Sequence, residues 1–347
     1  MSTFHKLTVQ KIVKETADAV SVLFDVPATL KEAFYFVAGQ YITIKKTLND
    51  KEVRRAYSIC ASPKSNELKV AIKAVENGLF SVFATTKLKE GDVLEVAEPE
   101  GKFLLNPTAN KNYIAFAAGS GITPVLSMIK AVLESEPSST FTLIYGNKSA
   151  ESTIFKNELE ALSEKYTSQF KLHYVFSKTL SDESLFGRID KGNTNFFIKN
   201  TYKNTIFDAA FLCGPEEMIN TVSETLQEHN FNKENIFFEL FTTSDEENNI
   251  DIPDGKSEVK VLLDDEENVF TMEKTDNILA ASLRNNLDAP YSCQGGVCSS
   301  CIAKVTEGKA VMSKNSILTD DELEEGFILT CQAHPTTPKI TIDFDDV

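Results

Sequence analysis

Over the first hundred residues, apolar positions fall into short runs rich in β-branched residues, parted by turn residues. These runs are KLTVQKIV (6–13), AVSVLFDV (19–26), QYITIKK (40–46), LKVAIKAV (68–75) and DVLEVAEP (92–99). The spacing predicts a small antiparallel β-barrel, with one helix over GLFSVFATTKL (78–88). From about residue 110 strands and helices alternate. YIAFAAG (113–119), TFTLIYG (140–146), FKLHYVFS (170–177), AAFLCG (209–214) and NIFFELF (235–241) read as strands. TPVLSMIKAVLES (123–135), TIFKNELEALSEKY (153–166) and PEEMINTVSETLQEH (215–229) read as helices, the first with Pro124 one position after Thr123 as a cap. This alternation predicts a doubly wound parallel sheet. TTSDEENNIDIPDGK (242–256) is acidic and turn-rich and reads as a linker. Strand pattern resumes at EVKVLLDD (258–265).

The 347-residue length fits this division into several domains: 1–106, 107–241, a linker over 242–256, and 257–347. A net charge of −16 argues against nucleic acid as a partner. More than half of that excess lies in residues 255–347, which carry 17 acidic and 8 basic residues. DDELEE (320–325) in this stretch reads as a solvated acidic face or a docking face for a basic partner. The most apolar stretch, YIAFAAGSGITPVLSMI (113–129), is broken by two Gly and a Pro, so no membrane span is expected. MSTFHKLTVQ has no basic and then apolar leader, so the expected location is the cytoplasm.

Six cysteines in such a chain are too few for a disulfide framework. Cys60 and Cys213 stand alone in apolar settings, as small core residues do. The other four are clustered. Cys293, Cys298 and Cys301 lie within SCQGGVCSSC (292–301), and Cys331 follows 30 positions later. Zinc ribbons show two separated C-x2-C pairs. C-x4-C-x2-C with one distant cysteine is instead the plant-type [2Fe-2S] spacing. Gly295 and Gly296 permit close backbone approach and positive φ, and Ser299 and Ser300 are small donors. Free or zinc-bound thiols are the competing reading. With YSCQGGVCSSCIAKVTEGKAVM and ILTCQAHP, residues 257–347 resemble a plant-type ferredoxin domain. The resemblance implies a β-grasp fold, one-electron transfer and the four cysteines as cluster ligands.

RRAYSIC (54–60) offers a cation, an aromatic ring and a hydroxyl on a barrel strand. These suit a flavin, which needs a charge for pyrophosphate, a stacking ring and a hydrogen bond near N5. NGLFS (77–81) then opens a helix, a place for phosphate, with Ser81 placed to cap and donate. GSGITP (119–124) follows a strand and opens a helix, with Pro124 where a third Gly would stand in the dinucleotide fingerprint. LCGPEEM (212–218) is a second strand-to-helix turn.

Together these segments resemble the ferredoxin–NADP reductase superfamily. The resemblance implies that Arg55, Tyr57, Ser58, Gly78 and Ser81 hold a flavin, FAD rather than FMN on family frequency. It implies that Gly119, Gly121, Thr123 and Pro124 receive the nucleotide pyrophosphate, and that Cys213, Gly214 and Pro215 lie beside the nicotinamide. Ser58 and Cys213 are thereby the residues nearest the hydride step, and Phe241 is the aromatic expected over the flavin. No Asp or Glu directly follows TLIYG or HYVF, whereas Lys148 and Lys178 do stand there. That pattern points to NADPH rather than NADH, with the two lysines on the 2′-phosphate.

The order of flavin barrel, nucleotide domain and ferredoxin resembles the reductase components of bacterial oxygenases. YGNKS, FGRID and the tail cysteines are most similar to the group of reductase subunits that serve phenylacetyl-CoA epoxidases. That group also holds reductases of other oxygenases, Rieske-type ones among them, and of hybrid-cluster proteins, and a ferredoxin or flavodoxin stands as a further alternative acceptor. The expected function is electron transfer from NADPH through FAD and [2Fe-2S] to a partner oxygenase or other metalloenzyme, with no acid–base residue required. Two readings of other classes stand beside it: a non-enzymatic electron relay or redox sensor, and a flavoreductase fused to a zinc-binding interaction module.

Overall fold

The structure, a computed structural model, describes residues 3–180, 184–241 and 252–347. The chain divides into two compact units, one of residues 4–241 and one of residues 242–347 with the first three. Most of the expected linker lies outside the described residues.

The first unit begins with strands β1 (Phe4–Thr16), β2 (Ala19–Asp25), β3 (Tyr41–Leu48), β4 (Lys51–Ser58) and β5 (Leu68–Lys73), then helix α1 (Leu79–Thr86) and strand β6 (Val93–Ala97). The sheet order is β4-β3-β6-β1-β2-β5 and every pairing is antiparallel. A bridge between Ile59 and Val70 joins the outer strands and closes the barrel. Two register shifts, at Val9/Lys11 and Lys14/Thr16, bend the long β1. Alternate side chains, among them Leu7, Val22, Ile42, Ile44 and Ile72, fill the interior, and α1 adds Phe80 and Ala84. The helix is shorter than its 78–88 apolar run, because Lys87 leaves helical geometry at φ −127°.

The same unit continues with β7 (Asn112–Ala118), α2 (Ile122–Ser135), β8 (Thr140–Asn147), α3 (Lys156–Lys165), β9 (Phe170–Phe176) and β10 (Ser184–Phe186). α4 (Lys191–Asn195), β11 (Ala209–Cys213), α5 (Glu216–Glu228) and β12 (Ile236–Glu239) complete it. All pairings are parallel, in the order β10-β9-β8-β7-β11-β12. Direction of winding reverses between β7 and β11, so the loops leaving these two strands face one crevice at the carboxyl edge. β10, α4 and a π-helical turn over Phe196–Thr201 fall where the sequence pattern marked no element.

The second unit holds β13 (Lys256–Leu263), β14 (Glu266–Glu273), α6 (Ile278–Arg284), β15 (Ile302–Glu307) and β16 (Ala310–Met312). α7 (Asp320–Glu324), β17 (Phe327–Leu329), β18 (Ala333–Pro335) and β19 (Lys339–Asp343) follow. A mixed sheet in the order β14-β13-β19-β15-β17 packs Val259, Val261, Ala303, Ile340 and Ile342 against Ile278, Leu279 and Ala281 of α6. A mixed sheet gripping one helix is the β-grasp arrangement the sequence resemblance implied. Residues 320–324 of the acidic run form α7, with Glu325 as its C-cap, and its start is closed by a reciprocal Thr319–Glu322 capping box. Among the described residues no helix is long and apolar enough to cross a membrane.

Candidate functional site

β4 presents its functional side chains through a break in alternation. Arg54 is buried, its Nε donating to Glu52 Oε1 at 2.8 Å and its guanidinium lying 5.2 Å from the Phe4 ring. Arg55 is exposed, so of the two adjacent arginines it is the one open to a ligand. Tyr57 packs 5.8 Å from Phe80 of α1, and burial raises its phenol well above the ordinary range against the opposing pull of Arg55. Gly78 caps α1, and a Cβ there would lie 2.3 Å from Ser81 Oγ and 2.6 Å from Val75 Cγ2. A side chain there would force Ser81 and Val75 to shift. Ser81 does not cap the helix as expected. It is the third helical residue, and its Oγ accepts from Val75 N–H at 3.2 Å, which leaves its proton available.

The loops after β7 and β11 interlock. Gly119 sits at φ +55°, and its carbonyl accepts from the Tyr145 hydroxyl at 2.8 Å. A Cβ on Gly121 would stand 2.0 Å from Cys213 O and 3.0 Å from Gly214 N. Only glycine lets the GSGITP and CGP turns approach this closely. The expected Thr123 cap is corrected. Gly121 is the cap residue, and Thr123 is the second residue of α2, its Oγ1 donating inward to Ser120 O at 3.0 Å. Pro124 follows in the first turn, where its missing N–H costs nothing. Pro215 takes the cap position of α5.

One acidic residue without a sequence signature of its own joins this crevice. Ser58 Oγ donates to Glu239 Oε2 at 3.1 Å, linking the end of β4 to the end of β12. Glu239 is also the register partner of Cys213. Burial pushes the Glu239 carboxyl up to about 8, with Ser58 opposing. Burial, then the Glu239 carboxylate, drives the Cys213 thiol well above its usual range. Ser58, Cys213 and Glu239 thus make a crevice floor that holds its protons at neutral pH. Within the apolar run FFELF (237–241), the only signal was a carboxylate in a strand otherwise made for burial. Lys73 of β5 was equally unmarked. Its Nζ is 3.9 Å from the Cβ position of Gly119 and 3.7 Å from Asp18 Oδ2, placing a cation at the GSGITP turn.

Lys148 and Lys178 are exposed and leave neighbouring strand ends, with Lys178 N–H donating to Lys148 O at 2.9 Å. The structure adds a carboxylate to this edge, since the Ser149 hydroxyl holds Glu151 below its ordinary range. Phe241 closes the unit with 37% of its surface exposed.

In the tail, the four clustered thiols stand as two pairs, Cys293 with Cys298 and Cys301 with Cys331, each in mutual hydrogen-bond contact. Donation from the partner thiol lowers Cys293 and Cys331, while Cys298 and Cys301 are driven up. Among the described residues no three of His, Cys, Asp and Glu converge on a common metal position. Two pairs suit two irons, one pair to each. The loop turns at Gln294 (φ +55°) and Gly296 (φ +72°), so the positive φ expected of Gly295 falls on its neighbours. Gly295 instead points its N–H at Cys293 Sγ, 3.4 Å away. A Cβ on Gly296 would lie 3.2 Å from Lys314 O. Ser292 Oγ is fully buried with no partner, a spare donor beside the first thiol.

Comparison with known proteins covers these parts in turn. Residues 6–104 match an oxidoreductase FAD-binding domain, residues 116–224 an oxidoreductase NAD-binding domain, and residues 261–336 a 2Fe-2S iron-sulfur cluster binding domain. A subunit of the Escherichia coli K12 1,2-phenylacetyl-CoA epoxidase is 40% identical over 99% of both chains. The ferredoxin reductase component of Rhodococcus rhodochrous 3-ketosteroid-9-alpha-monooxygenase is 32% identical over 97% of this chain and 96% of its own. Among solved structures, phthalate dioxygenase reductase superposes with a TM-score of 0.63 at 24% identity, covering 98% of each chain.

Proposed function

Because the chain belongs to the ferredoxin reductase superfamily, joining FAD-binding, NAD-binding and 2Fe-2S domains in one polypeptide, we propose that it is the reductase subunit of an oxygenase, with a phenylacetyl-CoA epoxidase as its acceptor. The carrying observation is the 40% identity to a subunit of such an epoxidase, which runs the full length of both chains. FAD supplies the conversion of one hydride into two single electrons, and the [2Fe-2S] cluster relays them.

In this reading the chain's residues bind, orient and exclude water. Arg55, Gly78 and Ser81 receive the flavin pyrophosphate, Tyr57 stacks, and Ser58 offers a hydrogen bond near N5. Gly119, Gly121, Thr123 and Pro124 shape the turn that takes the nucleotide pyrophosphate, with Lys73 as its cation. Cys213, Gly214 and Pro215 line the nicotinamide side, and Phe241 covers the flavin. Glu239 fixes the Ser58 hydroxyl and holds a proton at its carboxyl. Cys293 and Cys298 ligate one iron, Cys301 and Cys331 the other. Lys148 and Lys178 favour NADPH over NADH. The functional boundaries follow as 1–106 for flavin, 107–241 for nucleotide, 242–256 as linker and 257–347 for the cluster. Four thiols kept reduced for cluster assembly fit a cytoplasmic location.

The test is reconstitution. Protein carrying FAD and cluster is assayed with NADPH against ferricyanide and cytochrome c, then against the oxygenase subunits of a phenylacetyl-CoA epoxidase. NADPH-driven epoxidation supports the reading. Reduction of the dyes without epoxidation, but with turnover of a Rieske oxygenase or hybrid-cluster protein, replaces the acceptor. No reduction of anything by fully loaded protein makes the chain a relay.

A further inference from the structure

α2 is apolar along most of its length, but beyond its first turn Ser127, Lys130 and Glu134 recur at intervals of three and four. That spacing puts them on one helix face. Ser127 is buried and Lys130 mostly so, while Glu134 at the helix end is exposed. The face grips the chain segment that leaves Ser58. Ser127 Oγ, fully buried, donates to Ala61 O at 2.7 Å, and Lys130 Nζ donates to Cys60 O at 3.1 Å. Glu134 accepts from Ser62 Oγ through its carboxylate, and its backbone carbonyl accepts from Lys64 Nζ at 3.0 Å. Residues 60, 61 and 62 are thus each held by a side chain of α2, through Lys130, Ser127 and Glu134 respectively.

A small ion network backs this stripe. The Glu158 carboxylate of α3 meets Lys130 Nζ at 2.5 Å and Lys69 Nζ of the barrel at 3.5 Å. Lys130 and Lys69 are mostly buried, with side-chain exposures of 12% and 20%. Buried charges of this kind contribute little net stability compared with apolar packing, but they enforce one arrangement, because a shifted partner strands a charge. Here the two bodies brought into one arrangement are consequential. One is the helix whose first turn is the GSGITP loop, and the other is the strand exit two residues beyond Ser58.

We propose that the Ser127–Lys130–Glu134 stripe, braced by Glu158 and Lys69, is a positioning device for hydride transfer: it holds the nucleotide turn in register with the flavin strand. These residues touch neither cofactor in the reading above, on which the inference rests, and act by setting where α2 begins relative to Ser58. Sub-ångström placement matters at this step, since a 1 Å error in a reacting pair costs up to about a hundredfold in rate.

The test is rapid-mixing reduction of the flavin by NADPH in the holoprotein. Lys130→Met is expected to lower the limiting reduction rate about tenfold or more with the nucleotide KM changed less than about twofold. Ser127→Ala is expected to lower it about threefold, and Lys130→Arg to recover part of the loss. A role confined to stability would lower the melting temperature and leave the limiting rate intact. If Lys130→Met does not fold, Ser127→Ala decides alone. Wild-type limiting rates in the folded variants overturn the inference. Failure of the wild type itself to reduce its flavin overturns the underlying functional reading instead.

Discussion

The thiol loop and the nucleotide crevice solve the placement of reactive groups in opposite ways. In the loop, three of four thiols come from ten consecutive residues, and the backbone of that one segment sets their spacing. In the crevice, Ser58, Gly119, Cys213 and Glu239 come from four strand ends spread over 181 residues between Ser58 and Glu239. The loop is a local device, and its failure should be confined to it. The crevice is a tertiary device, and it should respond to anything that shifts one sheet edge against the other.

The largest expected effect tests that confinement. Cys298→Ser breaks the Cys293–Cys298 pair and should abolish the cluster's visible absorbance and electron delivery to the oxygenase. Reduction of the flavin by NADPH should persist within about twofold, since the FAD-binding and NAD-binding domains fold in a different compact unit. Loss of flavin reduction in a folded, FAD-loaded variant would show that the two devices are not separable.

Gly121→Ala strikes the crevice from the backbone. The added methyl carbon would meet Cys213 O at 2.0 Å, so the two turns must part. Destabilisation of about 1–3 kcal/mol by thermal melting and a loss of nucleotide affinity of about tenfold are expected. Gly295→Ala supplies the contrast in the loop. Its nearest contact would be Cys293 O at 3.9 Å, and its φ is not positive. Cluster content should be near that of the wild type.

Glu239→Gln probes charge in the crevice. The folded carboxyl is raised from 4.5 to about 8. Below 4.5 both folded and unfolded chains are protonated, so burial of the acid costs nothing. Between 4.5 and 8 the unfolded chain gives up its proton while the folded chain keeps it, and stability falls as pH rises until it levels above 8. Melting temperature against pH should therefore show this decline in the wild type and not in Glu239→Gln. Flavin reduction at neutral pH should stay within about twofold of the wild type, because the protonated acid and the amide both offer the Ser58 hydroxyl a neutral oxygen acceptor. An unchanged pH profile would remove Glu239 from the crevice chemistry.

The contrast also explains what could be read from the chain. Barrel, parallel sheet and ferredoxin unit were legible because apolar periodicity is local, and so was the cluster loop because its spacing is contiguous. The pairing Cys293–Cys298 and Cys301–Cys331 needed the fold, since Cys331 arrives beside Cys301 only through β15 and β17. Glu239 and Lys73 were hidden for a related reason. Glu239 is the single charged residue of its strand and Lys73 one of two lysines in its own, and the meaning of each comes from a neighbour far away in sequence. Thr123 and Ser81 looked like caps because Thr and Ser precede or open helices so often. In the fold glycines take the cap positions, and both hydroxyls turn to backbone groups.

The smallest effect concerns which nucleotide the crevice prefers. Lys148 and Lys178 stand exposed at adjacent strand ends, and exposed cations are worth little individually because water and salt screen them. Lys148→Ala should therefore raise the KM for NADPH only about two- to fivefold, with the limiting rate and the KM for NADH unchanged. Glu151 gives the opposite sign. Its carboxylate, kept ionised by Ser149, would repel a 2′-phosphate bound at the same edge and would suit a ribose diol. Glu151→Gln should lower the KM for NADPH and raise that for NADH. If Lys148→Ala shifts both nucleotides equally, the lysine serves the pyrophosphate that they share, and the preference for NADPH is lost with it.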